Sequence, residues 1–220
     1  MPLYDHLKRT MDVVAAGAGL VATAPVLAAS AAAVYATMGR PIFYRQQRPG
    51  LHGVPFKLIK FRTMRLSAPG QDDIGSEASR ITPVGQFLRS TSLDELPTLI
   101  NVLRGEMSLV GPRPLLMRYL PRYSAEQARR HEVRPGVTGW AQINGRNALS
   151  WDQKFALDVW YVDHRSLALD LKILVGTVGK VFAREGISQS GHATMPEFMG
   201  DEATDEEASG NDFTTARKGA

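Results

Sequence analysis

Four stretches of the 220-residue chain combine residue types that can do chemistry. The first is Arg89-Ser90-Thr91-Ser92-Leu93-Asp94-Glu95-Leu96-Pro97. A bare Asp-Glu pair usually marks a solvated helix face. Here the pair is framed by leucines, followed by a proline and preceded by Arg89. Adjacent helical side chains point about 100° apart, so two such carboxylates serve one site in different ways rather than grip one atom equally. One carboxylate can be a nucleophile. The other can orient it or handle a proton. A hard divalent cation, bound by one or two carboxylates plus ligand phosphates, suits the same pair.

The second stretch is Lys57-Leu58-Ile59-Lys60-Phe61-Arg62-Thr63-Met64. Strand side chains alternate, so Lys60 and Arg62 are expected on one face, aimed together at phosphates. A charged edge strand is the competing interpretation. The third is Gly111-Pro112-Arg113-Pro114, where two prolines fix the backbone around one guanidinium. That preorganisation suits phosphate or carboxylate recognition, although a rigid turn accounts for the motif alone. The fourth runs from Arg134 through Gly136, Gly139, Trp140, Gln142, Asn144 and Gly145 to Arg146 and Asn147. Its glycines allow close backbone approach to a ligand, and its amides and tryptophan could read a base or sugar. A structural loop around a buried tryptophan is the equal alternative.

The elements that must position these residues follow from pattern. Ile42-Phe43-Tyr44 and Phe56 to Phe61 are predicted strands of a small hairpin, with turns at Arg48-Pro49-Gly50 and His52-Gly53. Residues 66–80 are polar and predicted as a surface loop. Thr82-Pro83 opens a helix with proline in its first position. Leu93 to Leu103 is expected to continue helically, with Pro97 in a first turn. Residues 107–114 and 133–147 are Gly- and Pro-rich and predicted irregular. Ser150 caps a helix carrying Trp151, Phe155, Val159 and Trp160, and a further helix covers about Leu169 to Phe182. Their apolar stripes face either a core or a membrane interface, where Trp and Tyr are at home. The expected fold class is α+β, mostly helical.

No charge lies between Asp12 and Arg40, an interval of 27 residues and longer than the roughly 20 needed to cross a bilayer core. A cleaved signal peptide would place Lys8 and Arg9 in its basic region, but the apolar run continues past the small residues at Ala28-Ala29-Ser30-Ala31. A plain span conflicts with basic residues at both ends: Lys8 and Arg9 before, Arg40, Arg45 and Arg48 after. Pro25 near the middle would kink a helix, so a re-entrant helix that enters and leaves by one face satisfies both ends. Carbonyls freed at such a bend need partners, for which Thr23 and Ser30 are candidates. A buried core helix fits less well, because Ala, Val and Leu occupy every face.

The net charge is +4, but residues 197–220 hold seven acids against Arg217 and Lys218, a balance of −5 that leaves +9 on the rest. A basic body seeks anionic partners. An acidic Gly/Ser-containing tail is expected to be disordered. Absence of cysteine excludes disulfides, thiolate metal sites and a cysteine nucleophile. The expected organisation is a re-entrant membrane helix over 1–39, a catalytic domain over 40–199 and a tail over 200–220. A nucleic-acid-binding module and a non-catalytic membrane scaffold are the rival functions. The first finds no recognisable reading motif and an unsuitable apolar N-terminus, so no nucleic-acid partner is expected. The second requires Asp94 and Glu95 to be dispensable.

Taken in order, residues 60–64 (Lys-Phe-Arg-Thr-Met), 92–97 (Ser-Leu-Asp-Glu-Leu-Pro), 109–114 (Leu-Val-Gly-Pro-Arg-Pro) and 134–146 resemble the bacterial sugar transferase family, the monotopic phosphoglycosyl transferases. The resemblance covers about Leu7 to Phe198, and the length is similar to minimal members consisting of the catalytic unit alone. It implies interfacial amphipathic helices packed around the active site, on the cytoplasmic face of a bacterial inner membrane. It implies that Asp94 attacks the β-phosphate of a UDP-sugar, forms a phosphosugar-aspartyl intermediate and releases UMP, before undecaprenyl phosphate takes the phosphosugar. This would be the first membrane step of glycoconjugate assembly, with UDP-N,N′-diacetylbacillosamine a candidate donor. The resemblance further implies Mg²⁺ held in part by Asp94, a second acid at Glu95, and phosphate contact by Arg113. Lys60, Arg62, Arg89 and Arg146 are the other expected phosphate or substrate contacts. Lys8 and Arg9 match a basic pair at the membrane surface among phospholipids. The family's Ser-Pro helix break stands here as Ala24-Pro25, with Thr23 the substitute hydroxyl. A homodimer is an open option.

Overall fold

A proline inside the apolar run sets the first feature of the fold. In a computed structural model, which describes residues 2–66, 80–145, 149–183 and 197–200, helix α1 (Pro2–Ala22) and helix α2 (Ala24–Met38) meet at Thr23. Their axes bend by 62° there. Pro25 occupies the first turn of α2, where its missing N–H is not needed. The Thr23 amide and hydroxyl both donate to the Gly19 carbonyl, at 2.9 and 2.7 Å. Thr23, rather than Ser30, therefore supplies the hydroxyl at the break. Among the described residues no single helix is long and apolar enough to cross a membrane, while the bent pair is so by length and composition.

The predicted hairpin forms from β1 (Phe43–Pro49) and β2 (Pro55–Phe61), antiparallel, in register from Phe43 opposite Phe61 to Pro49 opposite Pro55. The first strand continues five residues beyond the predicted Tyr44, and a 3₁₀ turn at Leu51–Gly53 closes the hairpin. Phe56, Leu58, Ile59 and Phe61 of β2 are buried, so the strand contributes to the core from both faces. Phe56 and Leu58 pack with Ala16 of α1, Met107 and Val102 of α4 (Thr98–Arg104). Phe61 packs with Val34 of α2 and Leu88 of α3 (Pro83–Ser90).

The Gly- and Pro-rich stretches predicted irregular contain instead a parallel pair, β3 (Ser108–Val110) and β4 (Gly136–Thr138). Three-residue strands are too short to show periodicity. Gly111 and Gly136 bring backbone against backbone. A Cβ on Gly136 would lie 2.1 Å from the Gly111 nitrogen, and one on Gly111 would lie 2.4 Å from the Arg134 carbonyl oxygen.

Between and after these strands come the short helices α5 (Ala125–Ala128) and α6 (Trp140–Ile143), then α7 (Trp151–His164) and α8 (Leu167–Ala183). Ser150 caps α7 as predicted, in a reciprocal capping box with Gln153. From α7, Tyr161 packs with Val110 and with Ile173 of α8, while Phe155 joins Tyr119 and Phe198 in an aromatic cluster. The chain is α+β and mostly helical, as expected.

The first three turns of α1 are tied to this body by polar side chains. Tyr4 and Lys8 donate to one oxygen of the fully buried Asp170 on α8, at 3.0 and 2.8 Å, and Tyr161 donates to the other at 2.7 Å. Arg9 donates to the Val102 and Leu103 carbonyls at the end of α4. Asp12, an acid at the mouth of an apolar run, accepts the Leu109 amide. Lys8 and Arg9, expected to face the membrane surface, thus point into the protein. The Asp170 carboxylate and the carbonyls at the open end of α4 give the two side chains their acceptors there.

Candidate active site

The Asp-Glu pair sits at the joint between α3 and α4. Thr82 caps α3 by accepting the Gly85 amide at 3.0 Å, and Gly85 lies so close to Thr63 that a Cβ would come within 1.8 Å of its carbonyl oxygen. This contact docks α3 onto the residue that follows Arg62. After α3 the chain turns through Ser92, which adopts a left-handed conformation at φ 57°. Leu93–Glu95 then form a 3₁₀ turn, and α4 starts only at Thr98. The continuous helix expected from Leu93 is therefore broken. Pro97 has no N–H to give the Leu93 carbonyl, so the α-helical ladder cannot run through it. With three residues per turn, Asp94 and Glu95 diverge more than they would in an α-helix.

Glu95 is the hub. Lys60 reaches its Oε1 at 2.5 Å, and Arg113 reaches the same oxygen at 2.6 Å. Burial works against the charge of Glu95, but Arg113 and Lys60 outweigh it and hold the carboxyl well below the usual range. Burial, then repulsion from Arg113, pushes Lys60 down, with Glu95 opposing. Glu95 raises Arg113 in return, although 47% of the Arg113 side chain is exposed and solvent screens that attraction. A second buried pair fixes the Arg113 backbone: Arg130, bonded to Asp158 at 2.7 Å, also donates to the Arg113 carbonyl at 2.8 Å.

Asp94 is different. Among the described residues it makes no hydrogen bond or ion pair. Burial and the neighbouring Glu95 push its carboxyl up to about 6, against the pull of Lys60, Arg113 and Arg89. The result is a split pair: one carboxylate saturated with cations, one left open.

The other predicted residues fall out as follows. Arg89 donates through Nε to the Thr63 hydroxyl at 2.9 Å, and its charge is felt at Asp94. Arg62 is not in the cluster. β2 ends at Phe61, and the Arg62 guanidinium turns into the protein to bond the Met38, Gly39 and Arg40 carbonyls. Strand alternation with Lys60 fails because the strand stops one residue too early. Pro25 lies at the helix break, away from this cluster. Arg146 and Asn147 lie outside the described residues. Trp140 stacks on Trp160 with ring centroids 5.0 Å apart, and Asn144 donates to the Trp140 carbonyl.

Lys60, Glu95 and Arg113 line an open cleft together with Leu58, Met107, Leu115 and Val137. Arg48 also lines it, a residue that sequence patterning missed as a site candidate. Its signal was the hairpin register, which puts Arg48 opposite Phe56 and hence on the Lys60 face of the sheet. Among the described residues no three acids, histidines or cysteines gather as a metal cage. The open Asp94 carboxylate fits the other mode, in which Mg²⁺ takes one or two carboxylates and completes its shell with phosphates and water.

An open carboxylate beside a wall of cations, in an α+β chain, defines an anion-handling site of the kind used in group transfer. The chain belongs to the bacterial sugar transferase family, whose model matches residues 3–184. It is 55% identical to an uncharacterized sugar transferase, EpsL, of Bacillus subtilis over 88% of this chain and 96% of that protein. It is 43% identical to a UDP-glucose:undecaprenyl-phosphate glucose-1-phosphate transferase of Caulobacter vibrioides over 79% of this chain and 69% of that one. The Escherichia coli protein of the same description is 40% identical over 84% of this chain, which spans only 44% of its length.

Proposed function

We propose that this enzyme moves a sugar-1-phosphate from a UDP-sugar to undecaprenyl phosphate and releases UMP. The observation that carries the proposal is the open Asp94 carboxylate beside the Lys60–Glu95–Arg113 cluster. An ionised Asp94 oxygen attacks the β-phosphorus of the donor. The bond from that phosphorus to the bridging oxygen breaks, and the bridging oxygen leaves with UMP. A phosphate oxygen of undecaprenyl phosphate then attacks the same phosphorus, and the Asp94 carboxylate departs. Both attacking groups are anions, so no general base is required. Glu95, ionised and held by two cations, has no proton to give; its part is to fix Lys60 and Arg113 toward the phosphate oxygens. Mg²⁺, held by Asp94 and the substrate phosphates, would supply neutralisation of phosphate charge.

The relatives' names support the reaction class, with glucose among the sugars they carry. A re-entrant membrane helix is supported by the bent α1–α2 pair and by apolar side chains left in the open: Val21 is 78% exposed on α1, Leu171 60% and Val175 65% on α8. Together with the position of the acceptor's phosphate at a membrane surface, they point to the cytoplasmic face of an inner membrane and to the first lipid-linked step of glycoconjugate assembly.

The test is UMP release by detergent-solubilised protein with undecaprenyl phosphate, Mg²⁺ and a panel of UDP-glucose, UDP-galactose, UDP-N-acetylhexosamines and UDP-N,N′-diacetylbacillosamine. Release with one donor, lost in Asp94→Asn and with EDTA, is expected. Rapid quench should also trap labelled phosphosugar on Asp94. Folded protein that releases no UMP from any of these donors would overturn the proposal.

A further inference from the structure

Arg48 is a half-buried cation of the cleft to which the reaction scheme gives no task. Its Nη2 donates to the Gln46 side chain at 2.6 Å, and its Nε is buried without a partner. Neither Nε nor Nη1 has an acceptor among the described residues. Among the described residues no carboxylate pairs with it. The charge it feels most is Arg113, of the same sign, and burial together with Arg113 lowers its pKa to about 10. Arg130 is paired with Asp158, and Arg62, whose Nε also lacks a partner, gives its other nitrogens to three carbonyls, whereas Arg48 has one amide oxygen. A partly desolvated guanidinium beside a second guanidinium, with a neutral amide as its hydrogen-bond acceptor and tyrosines nearby, is costly until an anion arrives.

The cleft dictates which anion. Lys60, Glu95, Arg113 and Arg48 all line this one cleft, with Arg113 bonded to Glu95 and its charge felt at Arg48. A diphosphate whose outer phosphate lies beside Asp94 and Lys60 would carry its inner phosphate past Arg113 toward Arg48. We propose that Arg48 binds the phosphate attached to the nucleoside and steadies the charge that grows on the departing nucleoside monophosphate. This rests on the transfer reaction proposed above. A fixed guanidinium suits the task, since it presents two parallel donors to one phosphate and needs no reorganisation as the bond breaks.

The test uses the full solubilised chain and UMP as the probe. Calorimetric UMP affinity and the KM values for donor and acceptor are measured for wild type, Arg48→Gln and Arg48→Lys. Loss of a charged hydrogen-bond partner is expected to weaken UMP binding by about tenfold to a hundredfold in Arg48→Gln and to raise the donor KM in step. The KM for undecaprenyl phosphate should stay unchanged. Arg48→Lys keeps the charge and fold but loses the fork, and is expected to bind UMP several-fold more weakly than wild type. Wild-type UMP affinity in the two variants would overturn the assignment. So would a shift confined to the undecaprenyl phosphate KM, which would give the anion to the acceptor. UMP binding that depends on Arg48 in a protein releasing no UMP from any donor would retain the phosphate site and sink the transfer reaction instead.

Discussion

Asp94 and Glu95 are neighbours with opposite fates, and the difference is set by which one the cations reach. Lys60 and Arg113 both close on Glu95, which leaves Asp94 desolvated and next to a fixed negative charge. Its ordinary pKa is 3.8 and its folded value about 6. A raised carboxyl pKa means the fold holds the proton more tightly than the unfolded chain does. Asp94 therefore costs stability as pH rises from about 4 to about 6, and the cost is complete above that window. Asp94→Asn should gain on the order of 2 kcal/mol at pH 7.5 in EDTA buffer and nothing near pH 3.5, even as it abolishes transfer. Urea melts at the two pH values decide this, and equal wild-type and variant stability at pH 7.5 would refute it. In the Mg²⁺-dependent reaction the acid limb of kcat/KM for the donor should lie below pH 6, because a bound cation favours the ionised carboxylate. Glu95→Gln removes the charge that raises Asp94 and frees two cations to lower it. The limb should then move to still lower pH, in whatever activity remains; a limb that does not move would mean that Asp94 is not the group titrating.

At the scale of elements, two glycine classes separate. Gly136 is where β4 touches the backbone of the segment after β3, with 2.1 Å to a backbone nitrogen for any added Cβ. Backbone cannot yield as a flexible side chain can, so Gly136→Ala should part the strands and cost several kcal/mol or prevent folding. Gly179 lies inside α8 with nothing within 4 Å of a Cβ. Gly179→Ala should instead stabilise by about 0.5–1 kcal/mol through helix propensity. Thermal melts of both variants check the contrast, and a matching sign in the two would contradict it. The position of Gly136 matters to the site because β4 borders the cleft through Gly136 and Val137.

Across the whole molecule, the polar first half of α1 is a clamp. Tyr4 and Lys8 join α1 to α8 through Asp170, with 13% of the Lys8 side chain exposed and none of Asp170. Removing the carboxylate leaves a largely buried ammonium unpaired, a loss of about 3 kcal/mol. Asp170→Asn should therefore lower the melting temperature and open the N-terminal helix to limited proteolysis, while Asp94 and Glu95 are untouched. Unchanged proteolysis would mean that the apolar contacts of Ala16 alone hold α1 in place. On the proposed membrane reading, the full chain should float with anionic vesicles, and a Val21→Asp, Val175→Asp double variant should float less. Equal flotation of the two would count against those faces as the contact.

The sequence by itself determined the family, the α+β class, the hairpin, the capped helices and the dyad, because each leaves a local mark. Alternation marks Phe56 to Phe61, caps mark Thr82 and Ser150, and Pro25 marks the helix break. It also named Lys60, Arg89 and Arg113, which the fold gathers around Asp94 and Glu95. Tertiary structure decided the rest, because long-range geometry has no local period. The end of β2 at Phe61 sends Arg62 to backbone carbonyls rather than the cleft. Pairing of β3 with β4 gave Gly111 and Gly136 a backbone-to-backbone contact that no local pattern announced. Asp170, over 160 residues away in sequence, claimed Lys8. Arg48 entered the cleft only through the hairpin register. Which carboxylate of the pair stays open was settled by where two cations from distant strands and loops could reach, and no spacing along the chain encodes that distance.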